Sequence, residues 1–165
     1  MADFEIKNGV AVIPEGTTTI GMRAFSGCSS LQSITIPESV TEIGESAFFD
    51  CRALTDVTIP DSVTGIGKCA FGDCDSLANL QIPAGVTAIG ASAFDGCKQL
   101  KEISIPDGIT TIEDGVFCGC ESLTDVVIPD SVTGIGNYAF RACRSLKSVT
   151  IPDSVTYIGA GAFSF

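Results

Sequence analysis

Apolar and polar positions recur along the chain with a period of 23 residues. The repeated unit reads I-P-x-x-V-T-x-I-G-x-x-A-F-x-x-C-x-x-L-x-x-(V/I)-x, and all seven prolines keep the same step. A repeat of this length predicts an architecture in which each unit covers the apolar flank of the next. The two most distinctive apolar columns are Phe25, Phe48, Phe71, Phe94, Phe117, Phe140, Phe163 and Cys28, Cys51, Cys74, Cys97, Cys120, Cys143.

The segment before each proline predicts a short, half-buried strand. In the third unit, Val57 and Ile59 alternate with Asp56 and Thr58, so one pair faces the core and the other faces solvent. Pro60 ends the strand because it has no N–H to donate to a sheet.

The rest of the unit predicts a turn, a second extended stretch and a helical segment. Asp61-Ser62 supplies turn-forming side chains, and Val63-Thr64 allows a second short strand. Ala70, Phe71 and Cys74 stand at i, i+1 and i+4, a spacing that one or two helical turns would direct inward. The expected fold is therefore an α/β repeat solenoid, a right-handed rod with a parallel sheet on its concave face and short helical turns on its convex face.

The unit resembles a known family. The strand pattern L-x-x-(V/I)-x-I followed by a buried cysteine is similar to a leucine-rich repeat. More narrowly, I-P-(D/E)-S-V-T-x-I-G-x-x-A-F-x-x-C-x-x-L resembles the BspA-like leucine-rich-repeat family from about Ile13 to Phe163. The resemblance implies a non-catalytic binding module of surface proteins and adhesins, and it brings no catalytic residues.

The repeat predicts a single solenoid over residues 1–165. Residues 1–12 resemble the lead-in that caps such arrays, residues 13–150 hold six full repeats, and residues 151–165 hold a truncated seventh. The last repeat stops before its cysteine and has no polar cap, so we expect either a piece of a longer array or end-to-end self-association through this coil. The unit is also broken by Ala84 in the acidic column, by Glu113 in the glycine column and by Val116 in the alanine column.

Composition argues against several classes of function. The net charge is −11, with no histidine and no tryptophan. Nucleic-acid binding needs clustered Lys and Arg, and the usual general base and commonest metal ligand is histidine, so we expect no nucleic-acid partner, no cofactor, no metal and no enzyme activity. No apolar run reaches the roughly 18 residues that would insert into a membrane.

The cysteines predict free thiols. Six form one inward column, where a thiol behaves as a small apolar group, although an even count also allows disulfides. Cys69 and Cys118 lie outside that column and are expected to be reactive. Unpaired thiols favour a cytoplasmic location, whereas the family resemblance favours the cell surface or secretion as part of a longer protein. We expect the latter.

Two surfaces are candidates for binding. The concave face is polar and mildly acidic without an aromatic anchor, which favours a protein or glycan partner, while ordinary solvated strand residues remain the alternative. The second candidate is a convex patch of Tyr138, Arg141 and Arg144, with scattered surface side chains as its alternative. The concave residues are Asp56, Thr58, Asn79, Gln81, Glu102, Ser104, Asp125 and Val127.

An acidic residue follows six of the seven prolines and forms a third column, from Glu15 to Asp153, with Ala84 as the exception. Turn-forming Asp explains this column, and weak Ca²⁺ bridging between repeats is the alternative. Taken together, the sequence predicts a binding or adhesion module, with a structural spacer or self-associating intracellular scaffold as the other interpretation.

Overall fold

The computed structural model describes residues 5–165, so the first four residues of the predicted lead-in lie outside it. Its thirteen strands are short, with two or three residues each. In chain order they are β1 (Ile6–Lys7), β2 (Val10–Val12), β3 (Thr19–Ile20), β4 (Ser33–Thr35), β5 (Glu42–Ile43), β6 (Asp56–Thr58), β7 (Gly65–Ile66), β8 (Ala88–Ile89), β9 (Glu102–Ser104), β10 (Thr111–Ile112), β11 (Asp125–Val127), β12 (Gly134–Ile135) and β13 (Tyr157–Ile158).

The strands before the prolines form what we call the first sheet. It contains β1, β2, β4 and β6, and then, after an interruption, β9 and β11. Ile34 pairs with Val57 in parallel, a step of 23 residues, so one repeat makes one coil of the solenoid. The described part of the lead-in adds β1 antiparallel to β2.

The shorter strands form the second sheet, on another side of the coil. It contains β3, β5, β7 and β8, and after a second interruption β10, β12 and β13. Threonine supports this sheet, since the Thr41 hydroxyl donates to the Thr18 carbonyl at 3.3 Å and Thr64 repeats the contact on Thr41. Five threonines of the outward column are therefore tied to the backbone of the preceding coil: Thr41, Thr64, Thr87, Thr133 and Thr156.

The expected helical turns are absent from the described residues. The segment that carries Ala70, Phe71 and Cys74 is a run of hydrogen-bonded turns, which we call the turn side of the rod. Those three side chains are fully buried, so their inward direction is confirmed, but the helical prediction is wrong.

Backbone geometry explains why no helix forms there. Cys69 and Asp73 adopt φ values of 53° and 55°, so a left-handed residue recurs every fourth position and interrupts any helical run. Alternate amides then point along the rod: Phe48 N–H donates to the Ala70 carbonyl at 2.7 Å, while Phe49 N–H closes a local turn onto Ser46. The turn side thus forms a third ladder between coils.

The core is a stack of repeated side chains. Neighbouring phenylalanine rings lie nearly parallel, with centroids 5.2 Å apart for Phe25 and Phe48. The Cys51 thiol donates to the Phe25 carbonyl at 3.0 Å, and each later column cysteine makes the same contact. All eight cysteines are unpaired. The fold is a parallel β-solenoid in which each coil supplies one layer of the core.

We number the coils in steps of 23 residues from position 8, which keeps each pair of strands with the turn side that follows it. Coil 1 is 8–30, coil 2 is 31–53, coil 3 is 54–76, coil 4 is 77–99, coil 5 is 100–122, coil 6 is 123–145 and coil 7 is 146–165.

Candidate functional site

The first sheet is interrupted at coil 4. Asn79 makes one isolated bridge to Asp56, and residues 80–82 belong to no strand pair in the described chain. Pairing resumes only between coils 5 and 6, where Ile103 is in register with Val126. The face predicted to be concave, which is the outer face of this sheet, therefore has a gap at coil 4.

Local sequence accounts for part of this gap. Coil 4 carries Asn79-Leu80-Gln81 where coil 3 carries Asp56-Val57-Thr58. Leu80 and Gln81 fit a strand less well than the β-branched Val57 and Thr58 that they replace. Ile82 is consequently half-buried, whereas its counterpart Ile59 is buried.

The second sheet is interrupted between coils 4 and 5 as well. We call the contact between two neighbouring coils a joint. At the other joints, amides such as those of Thr64 and Gly67 donate to the preceding coil at 2.9 and 2.8 Å. Thr110 and Glu113 occupy the same positions in coil 5, and their amides make no such bond in the described structure. Coils 4 and 5 of the described chain therefore share no strand pairing on either sheet, although the Lys101 amide still donates to the Ala78 carbonyl at 3.4 Å beside the first sheet.

The turn side stays closed at the same joint. Ser92, Phe94 and Gly96 donate to carbonyls of coil 5 at 2.9, 2.9 and 2.8 Å. The separation is thus a wedge that opens away from the turn side. A small apolar cavity of about 10 Å³ lies inside it, between Ile89 and Phe117.

Two adjoining depressions lie on the outer face of the first sheet, where the wedge opens. Their volumes are about 460 and 480 Å³, and both are lined by residues 79–82. The first extends over coils 5 and 6 to Asp125 and Val127, and the second extends over coil 3 to Asp56 and Asp61. We call the two together the coil 4 depression.

The coil 4 depression has an apolar floor and an acidic rim. Leu80 and Ile82 line its floor, between the rows of outward side chains. The lining carries four carboxylates and no Lys or Arg, so the electrostatic potential there favours cationic or hydrogen-bond-donating groups. The four carboxylates belong to Asp56, Asp61, Glu102 and Asp125.

All eight residues predicted for the concave face are solvent-exposed and line the coil 4 depression: Asp56, Thr58, Asn79, Gln81, Glu102, Ser104, Asp125 and Val127. Period-two alternation was enough to bring them to one face, and their role in binding stays a prediction. Sequence reasoning placed Asp61 in the acidic column after the prolines and not at this site, and it missed Leu80 and Ile82. The leucine in place of a β-branched residue at position 80 was the available signal.

The predicted convex patch lies on turns of coil 6. The Arg141 guanidinium carbon lies 5.4 Å from the centroid of the Tyr138 ring. Arg144 instead faces coil 5, with its Nη1 3.9 Å from Glu121 Oε2. The patch therefore splits into a cation–π pair and a separate exposed ion pair, each of modest energy.

Burial controls the chemistry of the thiols. It raises the pKa of Cys51 to about 12 and that of Cys143 to about 12, so these groups stay protonated near neutral pH. Cys28, Cys69 and Cys118 are only half-buried, and burial raises the pKa of each of them as well. Cys28, at the end of its column, is thus partly exposed like Cys69 and Cys118, the two thiols predicted to be reactive.

The described residues contain neither a metal-binding cluster nor a membrane-spanning helix. No three or more Cys, Asp or Glu side chains lie together in a way that could hold a metal ion. Within residues 5–165 there is also no helix with the length and hydropathy needed to cross a membrane.

Solved structures with this fold come from bacterial leucine-rich repeat proteins. A leucine rich cell surface protein from Faecalibacterium prausnitzii is 38% identical with a TM-score of 0.89, and the match covers 96% of this chain and 45% of that one. A leucine-rich repeat protein from Bacteroides ovatus is 34% identical with a TM-score of 0.70, over 91% and 47% of the two chains.

A leucine rich repeat protein from T. pallidum is 26% identical with a TM-score of 0.73, and the match covers 86% of this chain and 79% of that one. The chain spans about half the length of the first two structures. None of the curated proteins matches it.

A family model agrees with these structures and with the repeat. The model described as BspA type leucine rich repeat region (6 copies) matches residues 6–124 and 110–165, which is nearly the whole chain. The 23-residue register, the buried phenylalanine and cysteine columns and the similar solved structures all support the same conclusion. The chain belongs to the BspA-type leucine-rich repeat family.

Proposed function

We propose that this chain is a non-enzymatic recognition module that binds a protein or glycan partner in the coil 4 depression. The observation that carries the proposal is the coincidence of the predicted outward residues with a depression of about 460 Å³ that has an apolar floor. A volume of several hundred Å³ is in the range of small-ligand sites.

Charge defines the kind of group that would bind. The rim carries Asp56, Glu102 and Asp125 without a compensating cation, so a basic peptide segment or the hydroxyls of a glycan suit it better than an acidic ligand. The lining has no aromatic ring to anchor a partner, which favours weak binding that gains strength from several contacts.

Surface display fits this role. The similar structure from Faecalibacterium prausnitzii is described as a cell surface protein, and family membership supports display or secretion of this chain as part of a longer protein. A cytoplasmic location is the alternative, which the free thiols favour.

The test is binding of the purified chain to an array of glycans and extracellular-matrix proteins. A triple variant, Asp56→Asn, Glu102→Gln and Asp125→Asn, removes the rim charges, and we expect it to lose at least about tenfold in affinity for any partner retained. The matched control changes three acidic turn residues, Glu38→Gln, Asp107→Asn and Asp130→Asn, and should keep its affinity. Equal affinity of both triple variants would reject the coil 4 depression as the site.

A second candidate function is a spacer or scaffold that associates end to end through coil 7. It is favoured by exposed apolar side chains there: Tyr157 and Ile158 are 58% and 48% exposed, and Phe165 is 73% exposed. Larger exposed apolar patches commonly mark contact surfaces. Light scattering at increasing protein concentration tests this function, and a strict monomer would reject it, while Ile158→Lys should abolish any association observed.

A further inference from the structure

We infer that Glu113 is a positioning residue: its Cβ holds the joint between coils 4 and 5 open, and this opening shapes the coil 4 depression. The inference goes beyond the proposed function, because the joint is open whether or not a partner binds. It rests on how closely neighbouring coils approach at one column of the repeat.

That column is occupied by glycine in all the repeats except the one that carries Glu113, from Gly21 to Gly159. A Cβ added at Gly44 would lie 2.7 Å from the Ile20 carbonyl oxygen, and one at Gly67 would lie 2.6 Å from the Glu45 nitrogen. Side-chain carbons do not approach backbone atoms this closely, so a residue with a Cβ must move its coil away. Position 113 is the one member of the column that carries a Cβ.

Within the described chain, the backbone amides of this column bond to the preceding coil from coil 2 onward wherever the residue is glycine, and not at Glu113. In coils 2, 3, 4, 6 and 7 the column glycine donates its amide to the preceding coil at 2.7 or 2.8 Å. Glu113 makes no such bond in the described structure, and the neighbouring Thr110 loses its bond to Thr87 as well. The loss is confined to the joint where the glycine is replaced.

Val116 adds to the separation from inside the core. It replaces the alanine of the other repeats and is 1% exposed, so its extra methyl groups must fit between coils 4 and 5. The phenylalanine stack does not record this separation, since the rings of Phe94 and Phe117 are 5.6 Å apart and those of Phe71 and Phe94 at the preceding joint are also 5.6 Å apart. Extra volume in a packed core displaces neighbouring backbone.

The effect of Glu113 reaches the first sheet because the turn side acts as the pivot. The turn-side amides of Ser92, Phe94 and Gly96 keep their bonds to coil 5, so separation at the second sheet rotates coil 5 about that edge. The first sheet lies on the opened part of the same wedge, where residues 80–82 lack strand partners. On its coil 5 side the coil 4 depression is therefore a consequence of packing at a residue outside it. On its coil 3 side the second sheet stays paired, and the gap there follows from Leu80 and Gln81.

Amide hydrogen exchange of the full chain, followed residue by residue by NMR, tests the inference. In Glu113→Gly the joint should close, and the amides of Thr110 and residue 113 should exchange about tenfold more slowly as each gains one hydrogen bond. Residues 80–82 should also gain protection. Unchanged exchange at these positions would overturn the inference.

Glu113→Ala is the matched control, because it removes the carboxylate and keeps the Cβ. We expect its amides at 110 and 113 to exchange as rapidly as in the parent chain. Exchange as slow as in the glycine variant would contradict the inference, since the carboxylate and not the Cβ would then hold the joint open.

The reciprocal change is Gly136→Ala in coil 6. Its added Cβ would lie 2.6 Å from the Asp114 nitrogen, so the joint between coils 5 and 6 should open and Thr133 should exchange about tenfold faster. Unaltered protection of Thr133 would overturn the steric account. The Glu113 variants decide the matter if this variant does not fold.

Discussion

Coils 2 and 3 are paired on all three sides of the rod, whereas coils 4 and 5 keep full pairing on the turn side alone. At the first joint, β4 pairs with β6, β5 pairs with β7 and Phe48 donates to Ala70 on the turn side. At the second joint neither sheet is continuous, although Phe94 still donates to Val116 at 2.9 Å. Two joints built from nearly the same sequence therefore differ in the pairing of their two sheets and agree in the pairing of their turn sides.

The difference shows which columns control which side. The turn side depends on left-handed residues and on the stacked phenylalanine and cysteine columns, which coils 4 and 5 retain. The second sheet depends on a glycine that allows close approach, which this joint lacks at Glu113. The first sheet depends in part on β-branched strand residues, which coil 4 lacks at Leu80 and Gln81. A repeat protein can thus change the shape of one face while the opposite face keeps the coils in register.

The largest expected effect concerns what the two joints share, the buried cysteine column. Burial raises the thiol pKa of Cys51 to about 12 from an ordinary value of 9.0, so above pH 9 the unfolded chain binds fewer protons than the folded one. The contribution of the buried thiols to the free energy of unfolding is therefore fully present below pH 9 and is lost progressively between pH 9 and 12. For the five buried thiols together, at about 1.4 kcal/mol each, we expect the free energy of unfolding at pH 10 to be about 7 kcal/mol lower than at pH 7.

Denaturant unfolding at the two pH values measures this loss. Cys97→Ala removes one titrating thiol and should reduce the loss by about 1.4 kcal/mol. Equal unfolding midpoints at pH 7 and pH 10 would mean that the thiols ionise without unfolding, which a continuous buried column does not allow.

The next effect transfers the open joint to coil 3. Gly67→Glu places a Cβ against the backbone of Glu45 and breaks the bond from residue 67 to the preceding coil. We expect a loss of about 3 kcal/mol in the free energy of unfolding, from overpacking and lost hydrogen bonds. Gly21→Glu is the matched control, because a Cβ there meets no atom within 4 Å, and it should be nearly neutral. A similar loss in both variants would show that helical or strand propensity, and not coil spacing, decides the outcome.

A smaller effect compares two buried valines. Val63→Ala in coil 3 leaves a cavity in a closed joint and should cost about 2 kcal/mol. Val116→Ala restores the alanine of the other repeats at the open joint, where relief of crowding offsets the lost burial, so it should cost less than about 1 kcal/mol. Chemical denaturation of both variants makes the comparison, and a Val116→Ala cost equal to or above that of Val63→Ala would count against crowding at coil 5.

The smallest effect concerns a serine that supports the regular joints. The Ser62 hydroxyl donates to the Val40 carbonyl at 2.6 Å, and Gly85 stands at the same position in coil 4. Gly85→Ser should gain about 0.5–1 kcal/mol over Gly85→Ala, which carries the Cβ without the hydroxyl. Thermal melts of the two variants measure the difference, and a serine variant less stable than the alanine variant would rule out the bond.

Much of this structure could be predicted from the chain. The inward columns at Phe71, Cys74 and Val57 follow from periodicity, and the same alternation brings Asp56 and Glu102 to one face. The turn side could not be predicted, because apolar residues at i, i+1 and i+4 suit a helix and a run of turns equally, and only the left-handed backbone at Cys69 separates the two. The open joint depends on a distance between coils that no single repeat specifies.

The most direct test of this account is residue-resolved amide exchange in the unmodified chain. Closed joints should protect the amides of Thr64 and Gly67, while Thr110 and Glu113 should exchange at least about tenfold faster, since they lack the bond to the preceding coil. Phe48 and Phe94, on the turn side of the two joints, should be protected alike. Equal protection of Thr110 and Thr64 would contradict the account, because coils 4 and 5 would then be as closely paired as coils 2 and 3.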